Sequence, residues 1–231
     1  AEVLDESGRP ISTQKTFTVS TLSKLFKLDF TQGFYDANTQ TPDFARLTLT
    51  NADGNAVTGK VSVKVSLLEN TLPEVQEENR FYPYPERTLE NQFKNAKEVK
   101  TAFTRDISFK IPGEQILSLP ALPEGIYRLT LKADKAGTQS MVFVVADTRS
   151  QLQLPDVTLF QRETYYPGET ARVLLGAGNL TGSKRVEIYS GETFLTHKDL
   201  LPGGVSVYTF PVEQEARGGL ALAWFGASNY T

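Results

Sequence analysis

Histidine occurs once in this chain, as His197, two residues before Asp199. On a strand that spacing puts both side chains on one face. A transition-metal site needs further nitrogen or sulfur ligands, and the sequence has no second histidine and no cysteine. The pair therefore reads as exposed strand residues. A serine-type nucleophile would have only His197 as its base, and no Gly-X-Ser-X-Gly elbow is present. Carboxylates are plentiful, notably Glu74, Glu77 and Glu78, but they fall in the least patterned segment. Glycosidase-type pairs must be held at a fixed separation by rigid elements. Gly203-Gly204 sits in LPGGV and reads as a turn rather than a phosphate cradle. No catalytic, cofactor-binding or metal-binding residue is assigned, and no enzyme is expected.

The remaining binding feature is aromatic. Phe81, Tyr82 and Tyr84 alternate with Pro83 and Pro85. Such rings can stack on sugars, lie in a partner groove, or pack over an open sandwich edge. They form the candidate binding or protease-accessible segment. Asn179-Leu180-Thr181 and Asn229-Tyr230-Thr231 match the glycosylation acceptor pattern, which has meaning only in a eukaryotic secretory pathway.

Composition narrows the partners. The chain has 231 residues and a formal charge of −3, so no field draws it to nucleic acid or an anionic membrane. Lys94, Lys97, Lys100 and Arg105 are interspersed with Glu98 and Asp106, which describes a solvated face. No apolar run reaches the roughly 18 residues of a membrane span, and no membrane contact is expected of this piece. The absence of cysteine excludes disulfides and thiol catalysis without excluding an oxidising compartment. Residues 1–20 lack the basic start and apolar core of a signal peptide. The chain is read as a piece of a longer one.

Short strands separated by turn signals organise the rest. Residues 2–19 read as two strands about Glu6-Ser7-Gly8, the second running through Phe17 and Val19. LFKLDF (25–30) and ARLTLTN (45–51) alternate apolar and polar residues. The turn at Asp53-Gly54 predicts a hairpin that pairs 45–51 with VSVKVSLL (61–68). Residues 69–104 break the rhythm, with Pro73, Pro83 and Pro85 inside, and 87–99 admits a short helix presenting Leu89, Phe93 and Ala96. GIYRLTLKADKAGTQSMVFVVAD (125–147) reads as a closing hairpin, and 147–153 as a short linker that leaves neighbouring modules free to reorient. In ETYYPGETARVLLGA (163–177), Pro167 and Gly168 occupy the second and third positions of a type II turn. That turn leads into a strand with Val173 and Leu175 on one face. Strand spacing near ten residues predicts an all-β chain of tandem antiparallel β-sandwich modules. The boundaries expected are 1–20 as closing strands of a preceding module, 21–148 with an insertion at 69–104, and 149–231.

ETYYPGETARVLL, followed by RVEIYSGETFLTHKDL and VSVYTFPV, resembles the macroglobulin-type β-sandwich repeats of the α2-macroglobulin superfamily. DESGRPISTQKTFTV and LPEGIYRLTLKADKAGTQSMVFVVAD are similar to the closing hairpins of such repeats. The resemblance covers most of the chain, more firmly over 155–231 than over 21–148, where the insertion departs from a plain repeat. It implies a non-catalytic scaffold piece of a secreted or periplasmic, bacterial-type parent. Such parents trap proteases, so the partners implied are host or competitor proteases, met through the full-length protein, and neighbouring macroglobulin domains. No thioester can lie in a stretch without cysteine. The alternative class is an extracellular adhesion or carbohydrate-binding module that uses Tyr82 and Tyr84.

Overall fold

The computed structural model describes residues 2–4, 10–12, 23–71, 88–177, 182–200, 204–214 and 219–226. Within them the chain is all-β apart from one helical turn, and its strands form antiparallel sandwiches. At the start, β1 (Glu2–Leu4) and β2 (Pro10–Ser12) pair as a small separate hairpin, with Glu2 opposite Ser12. The return strand lies at 10–12; Phe17 and Val19 fall outside the described residues.

The first sandwich faces two sheets across one core. Its smaller sheet has the order β3 (Lys24–Phe30), β5 (Thr41–Asn51), β8 (Glu114–Leu119). The larger sheet orders β4 (Tyr35–Asp36), β10 (Gly137–Ala146), β9 (Gly125–Ala133), β6 (Gly59–Leu68) and β7 (Glu98–Phe109). Only β4 runs parallel to its neighbour, along Val145 and Ala146 of β10. Leu47 and Leu49 from one sheet meet Val61, Val63, Val65, Leu129 and Leu131 from the other. Five aromatic rings (Phe30, Tyr35, Phe44, Tyr127 and Phe143) close one end, with neighbouring centroids 4.7–6.4 Å apart. The Tyr35 hydroxyl donates to the Phe44 carbonyl at 2.6 Å. Burial pushes the Tyr127 hydroxyl up to about 12, and it donates to the Pro123 carbonyl at 2.9 Å.

Two sequence expectations are corrected here. The Asp-Gly turn forms, with Gly54 at φ 83° and its N–H donating to the Asn51 carbonyl. It closes only a stub, however, in which Thr50 bridges Ala56. Beyond the stub the chain crosses to the other sheet: β5 pairs with β3 and β8, whereas β6 pairs with β7 and β9. The cause is core geometry. Both strands carry a fully apolar face, and a sandwich core needs those faces opposed rather than side by side. The second correction concerns 69–104. Helix α1 occupies only Leu89–Phe93, capped by Thr88, whose hydroxyl accepts the Asn91 N–H. From Glu98 the chain is already strand β7, twelve residues long. As an edge strand it buries only Ile107 and Phe109, so it carries no clear alternation to read.

Arg128 fastens α1 to the sheet. Its guanidinium donates to the carbonyls of Phe93 (2.7 Å), Lys94 (3.0 Å) and Ala96 (3.4 Å), and pairs with Glu98. A cation at these C-terminal carbonyls also complements the negative end of the helix dipole. Hydrogen bonds to Lys64 and Ser66, together with the charges of Lys64 and Arg128, hold the Glu98 carboxyl below its ordinary range against a smaller upward pull from burial.

The second sandwich is smaller. One sheet orders β11 (Asp156–Phe160), β12 (Thr170–Ala177), β15 (Val205–Pro211); the other orders β14 (Thr193–Leu200), β13 (Lys184–Ser190), β16 (Ala221–Gly226). Val173, Leu175, Val186, Ile188, Tyr208 and Phe210 form its core. The Trp224 indole N–H donates to Thr158 at 3.0 Å and ties the two sheets at one margin.

Replacing Arg128 with alanine should expose the helix carbonyls, at a cost of about 1–3 kcal/mol. Hydrogen exchange at the amides of residues 91–96 should accelerate while that of β5 stays slow. Unchanged exchange there would show that the guanidinium does not hold the helix.

Candidate functional site at the joint between the sandwiches

The run VFVVA at 142–146 has no polar alternate, and the structure gives the reason. Phe143 and Val145 face the first sandwich core, while Val142, Val144 and Ala146 face outward into a second apolar cluster. Leu89 and Phe93 of α1 cover one side of that cluster. Leu152, Leu154 and Leu174 cover the other, with Val157, Leu159, Val205 and Val207 around them. The outer face of the first module's large sheet thus packs directly on the outer face of the sheet β11–β12–β15.

The linker is a packed element rather than a free hinge. Ser150 Oγ accepts the Asp147 N–H at 2.8 Å, and Asp147 Oδ1 accepts the Arg149 N–H at 2.7 Å. Leu152 and Leu154 are buried, and the Gln153 N–H reaches Asn70 Oδ1 at 2.9 Å. Ordinary linkers carry few contacts; this one buries Ser150 and Leu152 between exposed residues.

A polar contact fixes the register of the joint. Arg172 of β12 pairs with Asp36 of β4 and lies over the Phe34 ring, 5.6 Å from its centroid. Gln161 Nε2 donates to the same carboxylate at 3.4 Å. Beside it the Gly33 N–H donates to the Gln161 carbonyl at 3.0 Å. Gly33 is required sterically, since a Cβ built there would lie 2.2 Å from the Phe160 carbonyl oxygen. Arg172 is 23% exposed and Asp36 37%, so the pair is worth about 0–1 kcal/mol after solvent screening. Truncating the fully buried Phe34 would cost about 3–5 kcal/mol. Apolar burial therefore holds the joint, and the ion pair selects its alignment.

The turn at Pro167-Gly168 braces the neighbouring end of β12. Gly168 has φ 89°, and the Glu169 N–H donates to the Tyr166 carbonyl at 3.0 Å, as in a type II turn. The Glu169 carboxylate accepts the Tyr166 N–H at 2.7 Å and pairs with Arg162 at 2.9 Å. Those two contacts hold its carboxyl below the ordinary value of 4.5. Arg162 in turn stacks on Tyr165, 4.5 Å from the ring centroid. The Tyr165 hydroxyl accepts the Arg162 N–H and donates to the Arg172 carbonyl. The Glu169 carbonyl accepts the Val212 N–H, and the Gly168 N–H donates to the Val212 carbonyl. The motif is a structural staple.

Phe81, Tyr82 and Tyr84 lie outside the described residues, as do Glu74, Glu77 and Glu78. His197 is exposed on β14 opposite Glu187, and Asp199 is committed to Arg185 at 2.8 Å. Among the described residues no group of three or more His, Cys, Asp or Glu side chains is arranged to hold a metal ion. Among them, too, no helix is long and apolar enough to cross a membrane. Asp36, Arg172, Gly33 and Gln161 escaped the sequence reading. Asp36 and Arg172 are 136 positions apart, and nothing local to either marks the other.

No protein-family model matches the chain, and no curated protein does. Similar solved structures include the native conformation of E. coli α2-macroglobulin, at 15% identity and TM-score 0.38, covering 98% of this chain and 16% of that one. Another is the Salmonella α2-macroglobulin mutant Y1175G, at 16% identity and TM-score 0.30 with the same two coverages. Red sea bream transglutaminase is similar at 10% identity and TM-score 0.32, over 90% of this chain and 29% of that one. The chain spans about a sixth of the length of the two α2-macroglobulins.

Gly33→Ala forces a methyl against the Phe160 carbonyl and should cost about 1–3 kcal/mol, read as a lower urea midpoint; an unchanged midpoint would mean the joint opens freely. The Glu169 effect is pH-dependent. Its folded pKa is depressed, so its stabilisation is present above the ordinary 4.5 and is lost as pH falls through the lower folded value. Glu169→Gln should lose less stability than the parent chain when pH is lowered across that window. Equal acid sensitivity would remove Glu169 from the account.

Proposed function

We propose that this chain is a non-catalytic spacer within a larger secreted or periplasmic protein of the α2-macroglobulin type, which acts in protease trapping. Residues 21–148 and 149–231 would be two macroglobulin-like modules, with 1–20 completing a module before them. The observation that carries this reading is the joint. Its apolar cluster and Asp36–Arg172 contact suit a part whose work is to keep two modules in one relation. The resemblance of the Tyr-X-Pro-Gly-Glu stretch to macroglobulin repeats supports the family, and in this chain that stretch builds the staple that leads into β12. Proteases would be met by the whole parent, with this segment carrying displacement from one neighbour to the next as a unit.

The chain has no cysteine, so Ile111→Cys and Phe225→Cys, at exposed positions on the two sandwiches, give a clean label pair. Energy transfer between them should report one narrow distance population. A broad or multiple population would sink the rigid-spacer reading. The family reading is tested on the native parent by intact mass and peptide mapping with and without methylamine. A parent several times longer than this chain is expected, and one no longer than this chain would overturn it.

A further inference from the structure

Beside the joint runs an open groove of about 1160 Å³, between the end of β3, the side of β10 and the whole of β11. All five residues of β11 line it, and so do Leu28, Asp29 and Phe30 in succession. A groove under one face of a strand would meet alternate residues only, because successive side chains point to opposite faces. Lining by consecutive residues means the groove follows the strand edges themselves. Among the described residues β3 and β11 each end their sheets. The backbone of Gly33 covers the Phe160 end of the β11 edge, and the edge from Asp156 to Leu159 is left open. On its groove side β10 is paired only at Val145 and Ala146, by β4.

Open edges present unpaired backbone N–H and C=O groups, and proteins usually blunt them with lysine, proline or a bulge. Strand β14 has Lys198 and a bulge in its ladder with β13, and β7 has Lys100, Arg105 and two irregularities in its ladder with β6. Strand β11, reading DVTLF, has none of these and pairs with β12 in unbroken register. Phe160 and Tyr166 stand 39% and 76% exposed along the same groove. The ionisable groups lining it are Asp29, Glu90, Asp156 and Glu163 against Arg162 alone. Asp29 is paired with Lys27 and Arg162 with Glu169, which leaves the excess of charge to Glu90, Asp156 and Glu163. The wall is therefore acidic.

We propose that this groove receives an extended basic segment of a partner protein, added as a strand to the free edge of β11. Backbone pairing supplies the alignment, alternate apolar side chains rest against Phe160 and the groove floor, and alternate cations face the carboxylates. Four residues of strand, about 14 Å at roughly 3.4 Å per residue, fit the open part of β11. The inference stands apart from the spacer reading, since a rigid joint needs no occupant.

The test uses the whole chain and two synthetic heptapeptides, one alternating lysine with valine and one alternating glutamate with valine. Calorimetry should find the lysine peptide bound at least about tenfold tighter, with affinity falling as salt rises. Hydrogen exchange should slow at residues 156–159 on binding and stay unchanged in β14. The double variant Asp156→Lys, Glu163→Lys, altered only at groove-lining side chains, should reverse the preference. Charge-blind binding, protection centred on another edge, or no binding would each overturn the proposal. So would a cross-link showing that residues 72–87 of the same chain already fill the groove.

Discussion

The large sheet of the first module has to be covered on both faces, and the rest of the molecule follows from how that is done. Its inner face is closed by β3, β5 and β8 in the ordinary manner of a sandwich. Its outer face carries Ile126, Val142, Val144 and Ala146, which water alone would leave at a cost of about 1.5–3 kcal/mol for each large side chain. A single helical turn covers one part of that face and the second module covers the rest. Two sandwiches that the linear chain presents as separate beads are thereby joined through a shared apolar layer.

The polar contacts at the joint are few and placed where they orient rather than bind. Asp36 and Arg172 are partly exposed, and the screened pair is small beside the burial of Phe34 and Leu174. Their geometry nonetheless permits one alignment, because Gly33 brings the backbone of one module against Phe160 and Gln161 of the other. The same economy appears in the Pro167-Gly168 turn. One carboxylate, Glu169, fixes a backbone N–H and an arginine that itself stacks on Tyr165. A turn held in this way delivers β12 to the joint already oriented, so local turn chemistry and module packing act on the same strand.

No group of three or more His, Cys, Asp or Glu side chains among the described residues is arranged to hold a metal ion. His197 faces solvent and Asp199 is spent on Arg185. The surface features that stand out are sheet edges, one open groove and the exposed rings of Phe160 and Tyr166. That groove, beside β11, is acidic.

Much of the architecture was legible in the sequence because its causes are local. Alternation marked most strands, and Pro-Gly and Asp-Gly marked turns whose glycines do adopt positive φ. In the sequence the run VFVVA reads only as part of a closing hairpin; the structure shows why it lacks polar alternates, since it is covered on both faces. What the sequence could not decide was partnership. The Asp53-Gly54 turn looked like the centre of one sheet, yet its flanking strands went to opposite sheets, a choice made by the core they share. Strand β7 hid inside an apparent insertion because an edge strand buries little and so need not alternate. A linker that reads as a hinge became part of an interface because Leu152 and Leu154 found apolar partners far away along the chain. Turn chemistry and strand period are properties of a few neighbouring residues, whereas sheet order and module packing depend on which distant faces meet, and only the folded chain decides that.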